Sequence, residues 1–263
     1  MVRIDGPMST RLHRMAWLLM AVTFLSACGE DPVPLSGDQE NFIYANRVVA
    51  YNPVLQNGVT ELEWPYFFHP ENALAAPDDA FGVVSLGYDP SGEAILGGSI
   101  TLGFGEITST SETPATPINA CAVDGDGADF SVYENPFATK DPKTGTTIYN
   151  TEVATVEVAQ VLPQDGGEWF LFPPIVDETL ALGDPDRYKN LAGVTTIAEG
   201  GDLFDLADLI AHHDLTAGFL ACYIRLTDGG SIYADYGNTQ TDQHASGADI
   251  NAVEVFHSQE LGQ

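Results

Sequence analysis

Positive charge is what this chain has least of: nine Lys and Arg stand against 38 Asp and Glu in 263 residues, a formal net charge of −29. Nucleic acids and anionic membrane surfaces are gripped by basic side chains that replace counterions, so both partner classes are excluded as electrostatic ligands. A sustained helical period is also missing, which argues against a helical bundle or an α/β layout. There is no Gly-x-Ser-x-Gly elbow, no phosphate-binding loop and no Cys/His nucleophile arrangement. Histidines number six. Of these, His212-His213-Asp214 is the one cluster, adjacent histidines point apart, and no zinc-type spacing follows. His69, His244 and His257 stand in no motif. The one long apolar stretch, residues 15–24, is too short to cross a bilayer as a permanent helix.

That stretch follows Arg11, His13 and Arg14 and runs into Leu25-Ser26-Ala27-Cys28. A positive start, a short apolar centre and small residues before a cysteine resemble a bacterial lipoprotein signal with its lipobox. The resemblance implies cleavage before Cys28 and acylation of its thiol and amine, so that residues 1–27 are a signal peptide and the protein is lipid-anchored. The alternative is an ordinary secretory signal with a chance cysteine. Met8 also serves as a start, since 8–28 is already a complete signal. Gly29 gives no inner-membrane retention signal, which favours the bacterial outer membrane or cell surface. Residues 28–40, poor in apolar side chains, read as a lipidated flexible tether, and 41–263 as a single domain.

Cleavage would remove Arg3, Arg11, Arg14 and Asp5, leaving six basic against 37 acidic residues, or −31. Such acidity is either a solvated surface that keeps an exported protein soluble or a set of carboxylates gathered around divalent cations, and both can hold at once. With Cys28 given to lipid, Cys121 and Cys222 remain. They are either one disulfide or two separate buried thiols, and export out of the reducing cytosol favours the bridge.

Along the rest of the chain short β-branched or apolar runs alternate with Gly, Pro, Asp and Asn. Candidate strands are 42–50, 82–86, 99–104, 128–133, 153–160, 169–172, 219–227 and 250–256. Thr155-Val156-Glu157-Val158 and Tyr223-Ile224-Arg225-Leu226 have period two, which demands one covered face per strand. Two packed antiparallel sheets supply it, so the fold class is all-β: a two-sheet β-sandwich, most simply a jelly roll, with long loops and at most short helices. The best helical segment is 201–210, with Leu203, Leu206, Ala207 and Ile210 at helical spacing and Asp202 as a candidate N-cap. Ligand sites belong among the polar connections 108–127, 138–151, 173–200 and 228–247.

Four segments in this order carry a wider resemblance. The first ends in Gly97-Gly98-Ser99-Ile100-Thr101-Leu102-Gly103-Phe104, after Asn72-Ala73-Leu74, Pro77-Asp78-Asp79 and Ser85-Leu86-Gly87. The second is Asp124-Gly125-Asp126-Gly127-Ala128-Asp129-Phe130-Ser131-Val132-Tyr133-Glu134-Asn135-Pro136-Phe137. The third is Leu191-Ala192-Gly193 with Gly200-Gly201-Asp202-Leu203-Phe204-Asp205-Leu206. The fourth is Tyr223 to Asp228 with Gly247-Ala248-Asp249-Ile250-Asn251-Ala252-Val253. Together, over roughly residues 45–256, they resemble a family of bacterial secreted or cell-surface proteins, similar in layout to galactose-binding-like and discoidin-like jelly rolls. The resemblance implies a loop-borne ligand site for glycans or other ligands, often with a structural calcium, and no catalytic activity. The chain departs from the family pattern at Tyr133, where Phe is usual, and at Asn251, where a carboxylate is usual.

Calcium takes six to eight oxygens, and carboxylates, amides and turn carbonyls provide them. Candidate ligands are Asp124, Asp126, Asp129, Glu134, Asn135, Asp202, Asp205 and Asp249. The spacing is not that of an EF-hand, since Ala128, Asp129 and Asn135 occupy its fifth, sixth and twelfth positions. On one strand Asp129 and Glu134 fall on opposite faces, so a bulge is needed for both to reach one ion. Turn and cap chemistry is the competing explanation for these residues. Trp64-Pro65-Tyr66-Phe67-Phe68, Trp169, Tyr233 and Tyr236 would stack on sugar rings if exposed, and would otherwise pack in the core. The expected function is a non-enzymatic surface module recognising an extracellular glycan or protein, with calcium as cofactor. Capture of a small nutrient for an outer-membrane transporter and hydrolysis of surface polysaccharide are the alternatives.

Overall fold

Alternation of apolar and polar side chains builds the larger sheet. In the computed structural model its centre is Tyr223–Asp228, flanked by Ala154–Ala159 and Ser99–Gly103, all antiparallel. Ile224 stands between Leu102 and Val158, and Leu226 between Ile100 and Val156, so one face is a continuous apolar ladder. Arg47–Asn52 and Phe170–Leu171 extend this sheet at its two sides, and Leu191–Ala192 also pairs with Ala154–Ala159.

The second sheet runs Ile43–Tyr44, Asp249–Val255, Phe130–Glu134, Asp202–Phe204, with Val84–Ser85 paired to the start of Asp249–Val255. Val253 and Val255 lie opposite Val132 and Phe130. These residues share a single buried core with the apolar ladder of the larger sheet. Phe130, Phe172 and Phe204 close it, Phe130 and Phe204 stacked at 5.1 Å and Phe172 edge-on to both. The fold is therefore an all-β antiparallel sandwich with, among the described residues, one short α-helix, Leu206–His213.

The structure describes residues 43–55, 67–74, 76–77, 82–87, 96–104, 119–134, 137–140, 147–150, 152–180, 184–195, 197–230 and 247–261. All belong to one compact unit, Glu40–Gln263. The signal, the tether and Cys28 lie outside the described residues, as do Asn135, Trp64, Pro65, Tyr66, Tyr233, Tyr236 and His244. No helix among the described residues is long and apolar enough to cross a membrane.

Several sequence expectations change: the candidate strand 219–227 is Leu220–Ala221 and Tyr223–Asp228 in different sheets, and the expected connections 138–151 and 173–200 hold the short strands Phe137–Lys140, Thr147–Asn150, Ile175–Val176, Tyr188–Lys189 and Leu191–Ala192. The candidate strand 42–50 is two strands, Ile43–Tyr44 and Arg47–Asn52, in different sheets. The chain switches sheets at Ala45 and Asn46, whose N–H groups donate to Val253 in one sheet and Gly103 in the other. The candidate helix 201–210 splits as well. Asp202–Phe204 is a strand paired with Phe130–Val132, and the helix starts at Leu206. Its N-cap is Asp205, which accepts from Ala207 N at 2.8 Å, rather than Asp202. Gly200 and Gly201 have φ of 96° and 70°, so a left-handed turn opens the strand where a helix would have begun. Finally, Asn119–Val123 is a strand inside the expected loop 108–127, lying between Leu220–Ala221 and Ser258–Leu261. Its Cys121 is disulfide-bonded to Cys222, with Cα atoms 4.2 Å apart.

Candidate functional site

Asp129 precedes Phe130–Glu134 and is fully buried. Its Oδ2 accepts from Leu206 N at 2.7 Å and its Oδ1 from Gly125 N at 2.8 Å, with His257 Nδ1 at 2.9 Å. Burial raises its pKa, and the hydrogen bonds oppose that rise. A Cβ on Gly125 would stand 2.3 Å from the His257 ring, so only glycine admits this arrangement. Asp124, Asp129 and Asp205 each place an oxygen within 4.8 Å of the others, the geometry of a candidate metal triad. Two of its members have backbone roles, since Asp129 is held by two amides and a histidine and Asp205 caps the helix, while Asp124 is exposed. Asp126 is exposed in the same turn.

Asp202 is a second amide clamp. Its Oδ2 accepts from Gly193 N at 2.7 Å and Val194 N at 3.0 Å, and its Oδ1 from Thr195 N at 3.0 Å. Burial pushes its pKa up to about 6 in spite of them. Asp228, which ends the central strand, is a third: it accepts from Gly230 N and Ala248 N, both at 2.8 Å, and burial pushes it up to about 6 too. Gly97 is required beside it, because a Cβ there would lie 2.3 Å from the Asp228 carboxylate. Sequence reasoning missed Asp228. Its signal was available in the pairing of Arg225-Leu226-Thr227-Asp228 with the glycines that follow.

Glu134 and Asp249 differ from these three. Period two puts Glu134 on the same side as Phe130 and Val132, facing the core, and it is 1% exposed. Between Ile250 and Ala252 the partner strand is irregular, so that Ile250 lies opposite Glu134 while Ala252 lies opposite Tyr133. Asn251 is the extra residue of this bulge, and its amide donates to Gly82 O at 3.3 Å. The shift brings Asp249 N to 3.3 Å from Glu134 Oε1. Glu134 Oε2 and Asp249 Oδ1 are buried without a hydrogen-bond partner. Burial, then the charges of Glu152 and Asp249, hold Glu134 well above the usual carboxylate range. Burial raises Asp249, a hydrogen bond with Ser85 opposes the rise, and the charge of Asp228 adds to it. The eight expected ligands are thus dispersed: Asp124, Asp129 and Asp205 at one end of Phe130–Glu134 with Asp126 exposed in the turn beside them, Glu134 and Asp249 at the other end, Asp202 occupied by amides, and Asn135 outside the described residues.

A third feature lies on the outer face of the larger sheet. Arg225 pairs with Glu157 through two bonds of 2.6 Å and sits 4.6 Å over the Trp169 ring. One ladder step away, exposed Arg47 lies 5.5 Å from the ring of half-buried Tyr223. Glu157 and Arg225 were legible as outward residues from the alternation of their strands. Their meeting required the register that pairs them.

Elsewhere the histidine pair is structural. His213 Nε2 lies 2.8 Å from Leu171 O, and its ring meets His212 edge-to-face at 4.7 Å rather than pointing away from it. Tyr133 donates its hydroxyl to Glu254, which also takes the Tyr44 hydroxyl at 3.1 Å, giving the phenol a role that phenylalanine would lack. Phe68 is buried in the core, not offered to a ligand. No protein-family model matches the chain, and no curated protein is significantly similar to it.

Proposed function

We propose that this is a lipid-anchored bacterial surface module that binds an extracellular glycan on the outer face of its larger sheet, with calcium as a structural ion. The observation that carries the proposal is the strip Trp169, Arg225, Glu157, Tyr223 and Arg47. Two aromatic rings on a sheet face offer the flat apolar surface that sugar rings stack on. A guanidinium beside a carboxylate supplies donors and acceptors for hydroxyl groups in a fixed fork. Two of the six basic residues that would remain after cleavage of residues 1–27 lie on this one face, in a chain otherwise dominated by acid. The lipobox supports export and anchoring at Cys28.

Binding is favoured over catalysis because four of the carboxylates with raised pKa are closed to substrate. Asp129, Asp202 and Asp228 are tied to backbone amides, and Glu134 is 1% exposed. A glycan array probed with residues 29–263 in calcium tests the proposal. Selective binding to one saccharide class, lost about tenfold or more in Trp169→Ala or Tyr223→Ala, is expected. Absence of any bound glycan overturns it.

A further inference from the structure

The two orphaned oxygens at the Glu134 end of the sandwich point to a specific cation site. A buried ionised carboxylate without compensation is among the most costly groups a fold can carry. Native proteins satisfy such groups with hydrogen bonds, with protons or with a cation. Here both carboxylate oxygens of three buried aspartates, Asp129, Asp202 and Asp228, accept from backbone amides, whereas Glu134 Oε2 and Asp249 Oδ1 have no partner. The nearby charges that act on Glu134 are those of Glu152, Asp249 and Asp202, all of its own sign. The arginines among the described residues are engaged elsewhere: Arg225 with Glu157, Arg47 beside Tyr223, and Arg187 on the Leu180 and Asp177 carbonyls. Lys189 is exposed.

We propose that Glu134 and Asp249 are the anionic ligands of a structural calcium site, assembled where the bulge at Asn251 draws the Asp249–Val255 strand across the end of Phe130–Glu134. Two carboxylates carry the charge that neutralises one divalent cation. Oxygen-only ligation suits calcium, which tolerates irregular geometry and gives up water more readily than magnesium. The site deepens the calcium part of the proposed function and rests on it, but is independent of glycan binding. It also separates Glu134 and Asp249 from the Asp124, Asp129 and Asp205 group, in which Asp129 and Asp205 already receive backbone donors and Asp124 is exposed.

The test is a thermal melt of residues 29–263, stripped with chelator and then supplied with millimolar calcium or magnesium. Calcium is expected to raise the melting temperature by about 5 °C or more, and magnesium by less. Glu134→Gln and Asp249→Asn should each abolish the calcium shift while melting no lower than the wild type in chelator, because each removes a buried charge. Asp124→Asn should keep the full shift. Terbium luminescence of the wild type, displaced by calcium, gives a second readout should either variant fail to fold. A calcium shift that survives in Glu134→Gln and disappears in Asp124→Asn would overturn this site while leaving a calcium-stabilised protein. No shift and no terbium binding in the wild type would overturn both.

Discussion

Asp129 Oδ2 receives the backbone N–H of Leu206, 77 residues later, at 2.7 Å, and this one bond ties the start of the α-helix to the start of the Phe130–Glu134 strand. The same carboxylate closes the Gly125 turn. Replacing Asp129 by Ala would strip partners from the buried Leu206 amide and the part-buried Gly125 amide at once. A buried unsatisfied donor costs about 1–3 kcal/mol and one that water can reach costs less, so Asp129→Ala should lose roughly 1–4 kcal/mol of stability. Urea unfolding measures it, and a loss under 1 kcal/mol would show the carboxylate to be dispensable.

The alternation of Thr155 to Val158 and of Tyr223 to Leu226 announced both the larger sheet and which of its side chains face out, because period two depends only on local geometry. The roles of Asp202 and Asp249 were not legible in that way. Asp202 looked like a helix cap because Asp before an apolar run commonly is one, yet it is a strand residue whose carboxylate collects the amides of Gly193, Val194 and Thr195. Only tertiary folding brings that turn to it. The bulge that sets Asp249 against Glu134 depends on how two distant strands pair, and no local signal marks it. The Asn119–Val123 strand was hidden by its small side chains, Ala120 and Ala122, which read as loop until a bridge to Cys222 and two strand partners hold them.

Stability should rise as pH falls from neutrality. Asp202 and Asp228 are raised by burial from 3.8 to about 6. Between those values the folded protein holds protons that the unfolded chain has released, so the stabilisation is complete below about pH 4 and lost as pH climbs through 6. Each group contributes at most about 3 kcal/mol to this slope. The melting temperature in metal-free buffer should therefore be higher at pH 5 than at pH 7.5. Asp228→Asn should flatten the dependence, and a melting temperature that rises from pH 5 to 7.5 would contradict the assignment.

The Cys121–Cys222 bridge closes a loop of 101 residues between the three-stranded sheet and the larger one. Cross-links of that span restrict the unfolded chain by about 4–5 kcal/mol in the loop-entropy account. Paired Cys121→Ser and Cys222→Ser substitutions should lower the melting temperature by about 10 °C. Reductant should do the same to the wild type and nothing further to the variant.

Glu157 and Arg225 separate binding from folding. Their side chains are 18% and 32% exposed, and ion pairs in such positions add only about 0–1 kcal/mol to stability. Glu157→Gln keeps the shape and removes the charge, freeing the guanidinium over Trp169 from its fixed fork. Its melting temperature should stay within about 2 °C of wild type, while affinity for the saccharide found on the array falls severalfold. Arg225→Lys should behave alike in the melt but lose more affinity, since an ammonium neither holds Glu157 in two bonds nor lies flat on the indole. If both variants melted like wild type and bound like wild type, the outer face of the sheet would be inert surface, and the ligand would have to be sought at its loops.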